Sequence, residues 1–139
     1  MTLVVGETED LAACLALRWA VFVEEQGVAA ELERDGLDAG AVHLLATRDG
    51  VPVGTLRMLE KPFGAKVGRV AVAASERGLG VGRALMRAAE AAARARGWGR
   101  LALESQTHAV AFYEALGYEA QGEEFLDAGI PHRSMGKAL

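Results

Sequence analysis

Arg77-Gly78-Leu79-Gly80-Val81-Gly82-Arg83 is the stretch whose residue types and spacing most directly imply chemistry. It follows the β-branched run Arg69-Val70-Ala71-Val72 and opens into an alanine-rich segment. Small residues let a ligand approach the backbone, and the first N–H groups of a helix lack an intrahelical acceptor. With the positive end of the helix dipole, such a turn can hold a phosphate or pyrophosphate. Two familiar phosphate patterns fail. A dinucleotide fingerprint started at Gly78 and Gly80 needs a third glycine where Arg83 stands, and no Gly-Lys pair is followed by Ser or Thr. What remains is R-x-x-G-x-G, on Arg77, Gly80 and Gly82.

Other reactive types are sparse. Cys14, the single cysteine, is flanked by Ala13 and Leu15 at a helical position and reads as a buried structural thiol, so no internal disulfide exists. His43, His108 and His132 show no ligand spacing, and no metal site is expected. Acids gather early, at Glu24, Glu25, Glu31, Glu33, Asp35 and Asp38; arginines gather later, from Arg69 to Arg100. Two readings fit this asymmetry: two solvated faces, or a basic end for an anionic cofactor with an acidic end for a cationic acceptor.

The elements that must position these residues follow from periodicity. Residues 2–7 form a first strand, and Thr8 caps a helix carrying Leu11, Leu15, Arg18 and Phe22. A polar segment runs from Gly27 to Gly40. Strands over 42–47 and 51–59 flank an Asp49-Gly50 hairpin turn, and a third strand covers 67–72. A long helix spans 79–96 with Val81, Leu85, Ala89 and Ala92 on its buried stripe, and Gly97 stops it. A short strand at 101–103, a helix starting at Gln106 or Thr107, and closing strands at 118–125 and 132–137 complete one α+β domain over residues 1–139.

The chain's 139 residues suit one continuous core, and 51% apolar with 24% charged residues is a globular composition. No apolar run approaches the roughly 20 residues that span a bilayer, and the start lacks the basic region of a signal peptide. Together with the lone cysteine this points to the cytoplasm. A net charge of −4 gives no electrostatic footprint for nucleic acid or an anionic membrane.

The R-x-x-G-x-G loop resembles the acyl-CoA pyrophosphate loop of the GNAT N-acetyltransferase family. A second stretch, Gln106 to Tyr118 with Tyr113-Glu114-Ala115-Leu116-Gly117-Tyr118, resembles the family's second signature, in the right order after the loop. Arg18 to Val28, Glu33-x-Asp35-x-x-Asp38, His43 and Gly129-Ile130-Pro131-His132-x-x-Met135 are similar to a subgroup of small bacterial members. The resemblance implies a three-layer α/β/α arrangement with a mixed, mostly antiparallel, splayed sheet flanked by helices. It places acetyl-CoA in a cleft between the strands near Val72 and Leu103.

By the same resemblance, the pantetheine arm pairs like an added strand with Val70, Ala71 and Val72. The Val72 N–H faces the thioester oxygen, where charge grows. The pyrophosphate lies on Gly78, Leu79, Gly80, Val81, Gly82 and Arg83, with Arg77 or Arg83 adding charge-assisted bonds. Tyr113 is the general-acid candidate, a phenol protonated at neutral pH. Gln106 stands where many members carry a cofactor-contacting asparagine. For the base, Glu104 is nearest by topology; Glu25, Asp38, His43 and His108 are further candidates, and a water chain without a dedicated base is an equal alternative. Phe22, Glu25, Asp38, His43 and His108 are the substrate-side candidates.

The activity so implied is acetyl transfer from acetyl-CoA to a primary amine of a small molecule or peptide, directly, in a ternary complex. Family members are often dimers, which extends the expectation of a homodimer to this chain. The pattern Arg18-x-x-x-Phe22 with Glu33, Asp35 and Asp38 also resembles acyl-homoserine-lactone synthases, although those generally lack the glycine loop. A non-catalytic CoA-binding module is the third reading.

Overall fold

The computed structural model describes residues 2–139. Seven strands form one sheet: β1 (Leu3–Thr8), β2 (Val42–Arg48), β3 (Val51–Lys61), β4 (Gly64–Val72), β5 (Arg100–Gln106), β6 (Glu119–Asp127) and β7 (Ile130–Ala138). Their order is β1-β2-β3-β4-β5-β7-β6, with every neighbouring pair antiparallel except β4 and β5. The helices are α1 (Leu11–Arg18), continued by a π-helical turn Trp19–Glu25, then α2 (Ala30–Glu33), α3 (Val81–Ala95) and α4 (Val110–Ala115). The mixed, mostly antiparallel sheet flanked by helices agrees with the expected fold.

Local differences from the sequence reading have simple causes. Asp10, not Thr8, caps α1: its Oδ1 accepts from the Ala13 N–H at 3.1 Å, while the Thr8 hydroxyl accepts from Asp10 N–H at 3.0 Å. The long helix begins at Val81 because Gly80 takes φ 88°, a left-handed conformation that L side chains resist. The segment after β5 opens with a 3-10 turn, Thr107–Ala109, before α4.

The core lies between α3 and the sheet, where Val81, Leu85, Met86, Ala89 and Ala93 meet Leu56, Met58, Val67, Leu101 and Leu103. At Gly54 a side chain would run into Val81 and Leu85 at 2.8 and 2.9 Å, so the absence of a Cβ lets α3 cross close to β3.

Two features shape the middle of the sheet. Between the pairs Arg57↔Gly68 and Thr55↔Ala71, β4 has one more residue than β3. That bulge includes Arg69, at φ 52°, and a bulge bends its strand and increases its twist. On the other side, β4 and β5 pair only from Ala65↔Leu101 to Val67↔Leu103. Beyond those pairs the strands part, and the gap between them is the mouth of a cleft.

Candidate active site

The splayed strands open a cleft of about 960 Å³. The hydrogen-bond alternation of β3 and β4 decides which backbone groups face it. Ala73 N–H donates to the Val53 carbonyl at 2.9 Å, so Val53/Ala73 is a bonded pair. In antiparallel pairing, bonded and non-bonded pairs alternate. Thr55/Ala71 is therefore bonded and Gly54/Val72 is not. The N–H and C=O of Val72 point away from β3, into the cleft that its side chain also lines. Ala71 turns its polar groups to β3 and is 1% exposed.

Below Val72 lies the glycine turn. Ala84 makes the first helical bond of α3, donating to Gly80 O at 3.0 Å, which leaves the N–H groups of Val81, Gly82 and Arg83 without partners among the described residues. No side chain caps this end. A Cβ on Gly82 would stand 3.3 Å from Phe112 Cζ, so glycine keeps the passage beside Phe112 open. Gly78, Gly80, Val81, Gly82 and Arg83 all line the cleft; Leu79 is 60% exposed and points elsewhere.

Arg77 is already engaged. Its Nε donates to Val72 O at 3.2 Å, and its two terminal nitrogens donate to Glu25 at 2.7 and 2.8 Å. The hydrogen bonds from Arg77 hold the Glu25 carboxyl below its ordinary range. Thus Glu25 ties the π-helical turn to the loop, instead of standing free for a substrate.

Across the cleft, Tyr113 is 8% exposed and edge-packed on Phe112 and Tyr118, with centroids 4.9 and 6.1 Å away. Its hydroxyl has no protein partner among the described residues, yet it is not sealed off, and the ring lines the cleft. Burial pushes its pKa up to about 12. Gln106 donates to Gln26 Oε1 at 2.8 Å and accepts from His108 Nε2 at 2.7 Å, linking the π-helical turn to the end of β5. Glu104 pairs with Lys66 at 2.9 Å, spanning the point where β4 and β5 part. Phe22, Gln106, His108 and Glu104 line the same space.

The acidic cluster is not an open cation site. Arg18, 1% exposed, donates to Glu33 at 2.5 Å and to Asp38 at 2.7 and 3.2 Å. Arg57 reaches Asp38 at 3.0 Å and grips Asp35 with both terminal nitrogens. Arg69 adds bonds to Asp35 at 3.3 Å and to the carbonyls of Leu32 and Glu33. Three guanidinium groups thus meet three carboxylates. Asp38 and His43 stand outside the cleft lining, and His43 Nε2 lies 2.9 Å from the Asp38 carbonyl. The sequence reading missed this network because the cations lie on α1, β3 and β4, far along the chain from the acids.

Two other features were missed. Glu90, 1% exposed on α3, accepts from Tyr118 at 2.9 Å and from Lys137 at 3.1 and 3.2 Å, and so fixes the ring on which Tyr113 packs. His132 on β7 lines the cleft, although the sequence reading did not name it among the site candidates. Cys14 is fully buried, and burial raises its thiol pKa, as a structural thiol requires. No helix among the described residues is long and apolar enough to cross a membrane.

The acetyltransferase (GNAT) domain family matches residues 7–139. A Bacillus subtilis (strain 168) protein described as the uncharacterized N-acetyltransferase YjcF is 41% identical over 130 residues, covering 93% of each chain. A crystal structure of an acyl-CoA N-acyltransferase from Pseudomonas aeruginosa is 36% identical, with a TM-score of 0.84 over 99% of this chain and 100% of that one. The crystal structure of Escherichia coli ElaA is 28% identical, with a TM-score of 0.83 over 98% of each chain.

Proposed function

The chain belongs to the acetyltransferase (GNAT) family, and on that premise we propose that it moves an acetyl group from acetyl-CoA directly to a primary amine of a small molecule or peptide. The observation that carries this reading is the direction of Val72: an unpaired N–H at the end of β4, aimed into the cleft next to three unpaired helix N–H groups. Acetyl-CoA would supply the activated acetyl group. The residues present fit it. Val81, Gly82 and Arg83 offer backbone donors to a pyrophosphate, and Gly82 leaves room beside Phe112. Arg83 carries a further positive charge at the cleft and has no ion-pair partner among the described residues. Val70 and Val72 offer an open strand edge to the pantetheine arm.

Val72 N–H then donates to the thioester oxygen as charge grows there, and such a pre-aimed donor is worth about 10²–10³ in rate. Tyr113 donates its hydroxyl hydrogen to the departing sulfur. A phenol near pKa 12 holds its proton against an alkyl thiolate, whose conjugate acid is the stronger acid (about 8.5 for a cysteine thiol), so Tyr113 acts as a hydrogen-bond donor to the sulfur more than as a source of the proton. Glu104 gives Oε1 to Lys66, and its other oxygen is left to meet an acceptor's ammonium at the mouth of the cleft.

The test is mass analysis of amines incubated with the protein and acetyl-CoA. Acetylated amine with no acetyl group on the protein supports direct transfer. An acetylated protein, or no acetylated amine across lysine, spermidine, benzylamine and a model peptide, contradicts it.

A further inference from the structure

One histidine of the cleft is held in a fixed orientation with its basic nitrogen open. His132 sits on β7, paired with Gln106 at the end of β5 and with Phe125 on β6. Its ring stacks on Phe125, with centroids 5.9 Å apart and planes at 27°, and is 9% exposed. Nδ1 lies 2.6 Å from the Ile130 carbonyl oxygen. A carbonyl only accepts, so Nδ1 carries the hydrogen, and in the neutral ring Nε2 carries the lone pair. Among the described residues nothing hydrogen-bonds Nε2, and Nε2 is not a sealed atom. The ring lines the cleft. Stacking and the Ile130 bond therefore fix an imidazole whose basic nitrogen is open.

The other histidines differ. His43 turns Nε2 to the Asp38 carbonyl, which leaves Nδ1 buried and unpartnered outside the cleft lining. His108 gives its Nε2 hydrogen to Gln106 Oε1, which leaves its lone pair on Nδ1 of an exposed ring with no stacking partner among the described residues. Glu104, the acid nearest by topology, spends an oxygen on Lys66 at 2.9 Å. It shares a sheet face with His132, because Glu104↔Ser134 and Gln106↔His132 are alternate pairs of β5 and β7.

We propose that His132 is the catalytic base, taking on Nε2 the proton that the acceptor's ammonium must lose; this rests on the acyl-transfer reading above. Nε2 accepts one ammonium proton, and the Ile130 carbonyl stabilises the resulting imidazolium through the Nδ1 hydrogen. The freed amine pair forms the N–C bond to the thioester carbonyl carbon, whose oxygen takes the displaced pair beside Val72 N–H. As the carbonyl re-forms, the C–S bond breaks and sulfur leaves with that pair. The second nitrogen-bound proton passes to sulfur, giving amide and free thiol, and His132 returns its proton to water. Charged or titratable residues that line the same cleft from the strands and turn around His132 include Glu104 on β5, Lys66 on β4, Asp127 on β6 and His108 after β5. Arg133 is turned away to the Gly122 carbonyl at 2.7 Å.

Two measurements on the intact chain test this. Long-range proton–nitrogen NMR correlations on isotope-labelled histidine, assigned with His132→Gln, should show the Nδ1–H tautomer for His132; an Nε2–H tautomer overturns the proposal. For the fastest amine of the panel, His132→Gln should lower kcat/KM about 100-fold at neutral pH and abolish the acidic limb of its pH profile. Thermal stabilisation by CoA should persist in that variant. Glu104→Gln should raise KM for the amine and keep the limb. Activity of His132→Gln within about threefold of wild type, with the limb intact, overturns the proposal, as does a limb that vanishes in Glu104→Gln instead. Failure of every amine with the wild type would contradict the acyl-transfer reading, and the tautomer would still decide whether Nε2 can accept.

Discussion

Arg77 donates from Nε to the carbonyl oxygen of Val72 at 3.2 Å while its terminal nitrogens hold Glu25. One side chain thus occupies the strand's outward acceptor, leaves the outward donor free, and fastens the π-helical turn to the glycine loop. Arg77→Ala should loosen all three. The expected result is a KM for acetyl-CoA raised about tenfold, since charge-assisted, two-pronged bonds are lost. Glu25→Gln, which keeps Arg77 on Val72, should change KM less. Steady-state kinetics at varied acetyl-CoA checks the order of the two effects.

Tyr113→Phe removes only the hydroxyl that faces the cleft. The ring keeps its edge contacts with Phe112 and Tyr118, so the melting temperature should change little. The kcat should fall by about 10²-fold, the usual cost of losing one hydrogen-bond donor aimed at developing charge. Because burial holds the phenol protonated up to about pH 12, the wild-type rate should show no basic limb from Tyr113 below about pH 11. A Tyr113-dependent limb near pH 9 would refute its assigned state.

The network of Arg18, Arg57 and Arg69 with Glu33, Asp35 and Asp38 binds the α1–α2 segment to the sheet. Arg18→Met takes away the closer cation of Glu33, 4% exposed, and leaves it only the longer 3.6 Å pair with Arg69. Removing one partner of a buried pair costs about 3–5 kcal/mol, and urea denaturation should show a loss of that size. The acid side has a defined sign. The hydrogen bonds from Arg57 hold Asp35 well below its ordinary range. For Asp38, burial pulls upward, but bonds from Arg18 and Arg57 outweigh it. Both folded values lie below the unfolded value of about 3.9, so the folded state binds fewer protons there. Their stabilisation is complete above that value and declines as pH falls below it. Arg57→Gln should flatten this decline in denaturation curves taken between neutral pH and pH 3.

How much of this was legible depends on how local each signal is. The loop from Arg77 to Arg83 and the Tyr113 signature are contiguous, so their resemblance to the family's two signatures could be read directly from the chain. Strand positions followed from alternation and the β2–β3 hairpin from Asp49-Gly50, but the placing of β7 between β5 and β6 did not. The acids at Glu33, Asp35 and Asp38 were legible as a cluster, but not as a neutral one, because Arg57 and Arg69 reach them only through sheet register. Glu90 hid in an alanine-rich helix, since its partners Tyr118 and Lys137 arrive from other elements. His132 was visible in Gly129-Ile130-Pro131-His132, but its role depends on a bond two residues back and on β7 lying beside β5. The direction of Val72 N–H needed the bonding alternation with β3.

That direction gives the most direct test: amine-dependent thiol release from acetyl-CoA by wild type, Val72→Ala and Val72→Pro. Compared with Val72→Ala, which controls for loss of the valine side chain, proline removes an N–H that β3 does not use, at a strand edge where its absence is tolerated. The account predicts that wild type and Val72→Ala release thiol only when amine is present. Val72→Pro should fold, keep its thermal stabilisation by CoA, and lose about 10²–10³ in kcat. Release that ignores amine, or a folded Val72→Pro as active as Val72→Ala, would contradict it.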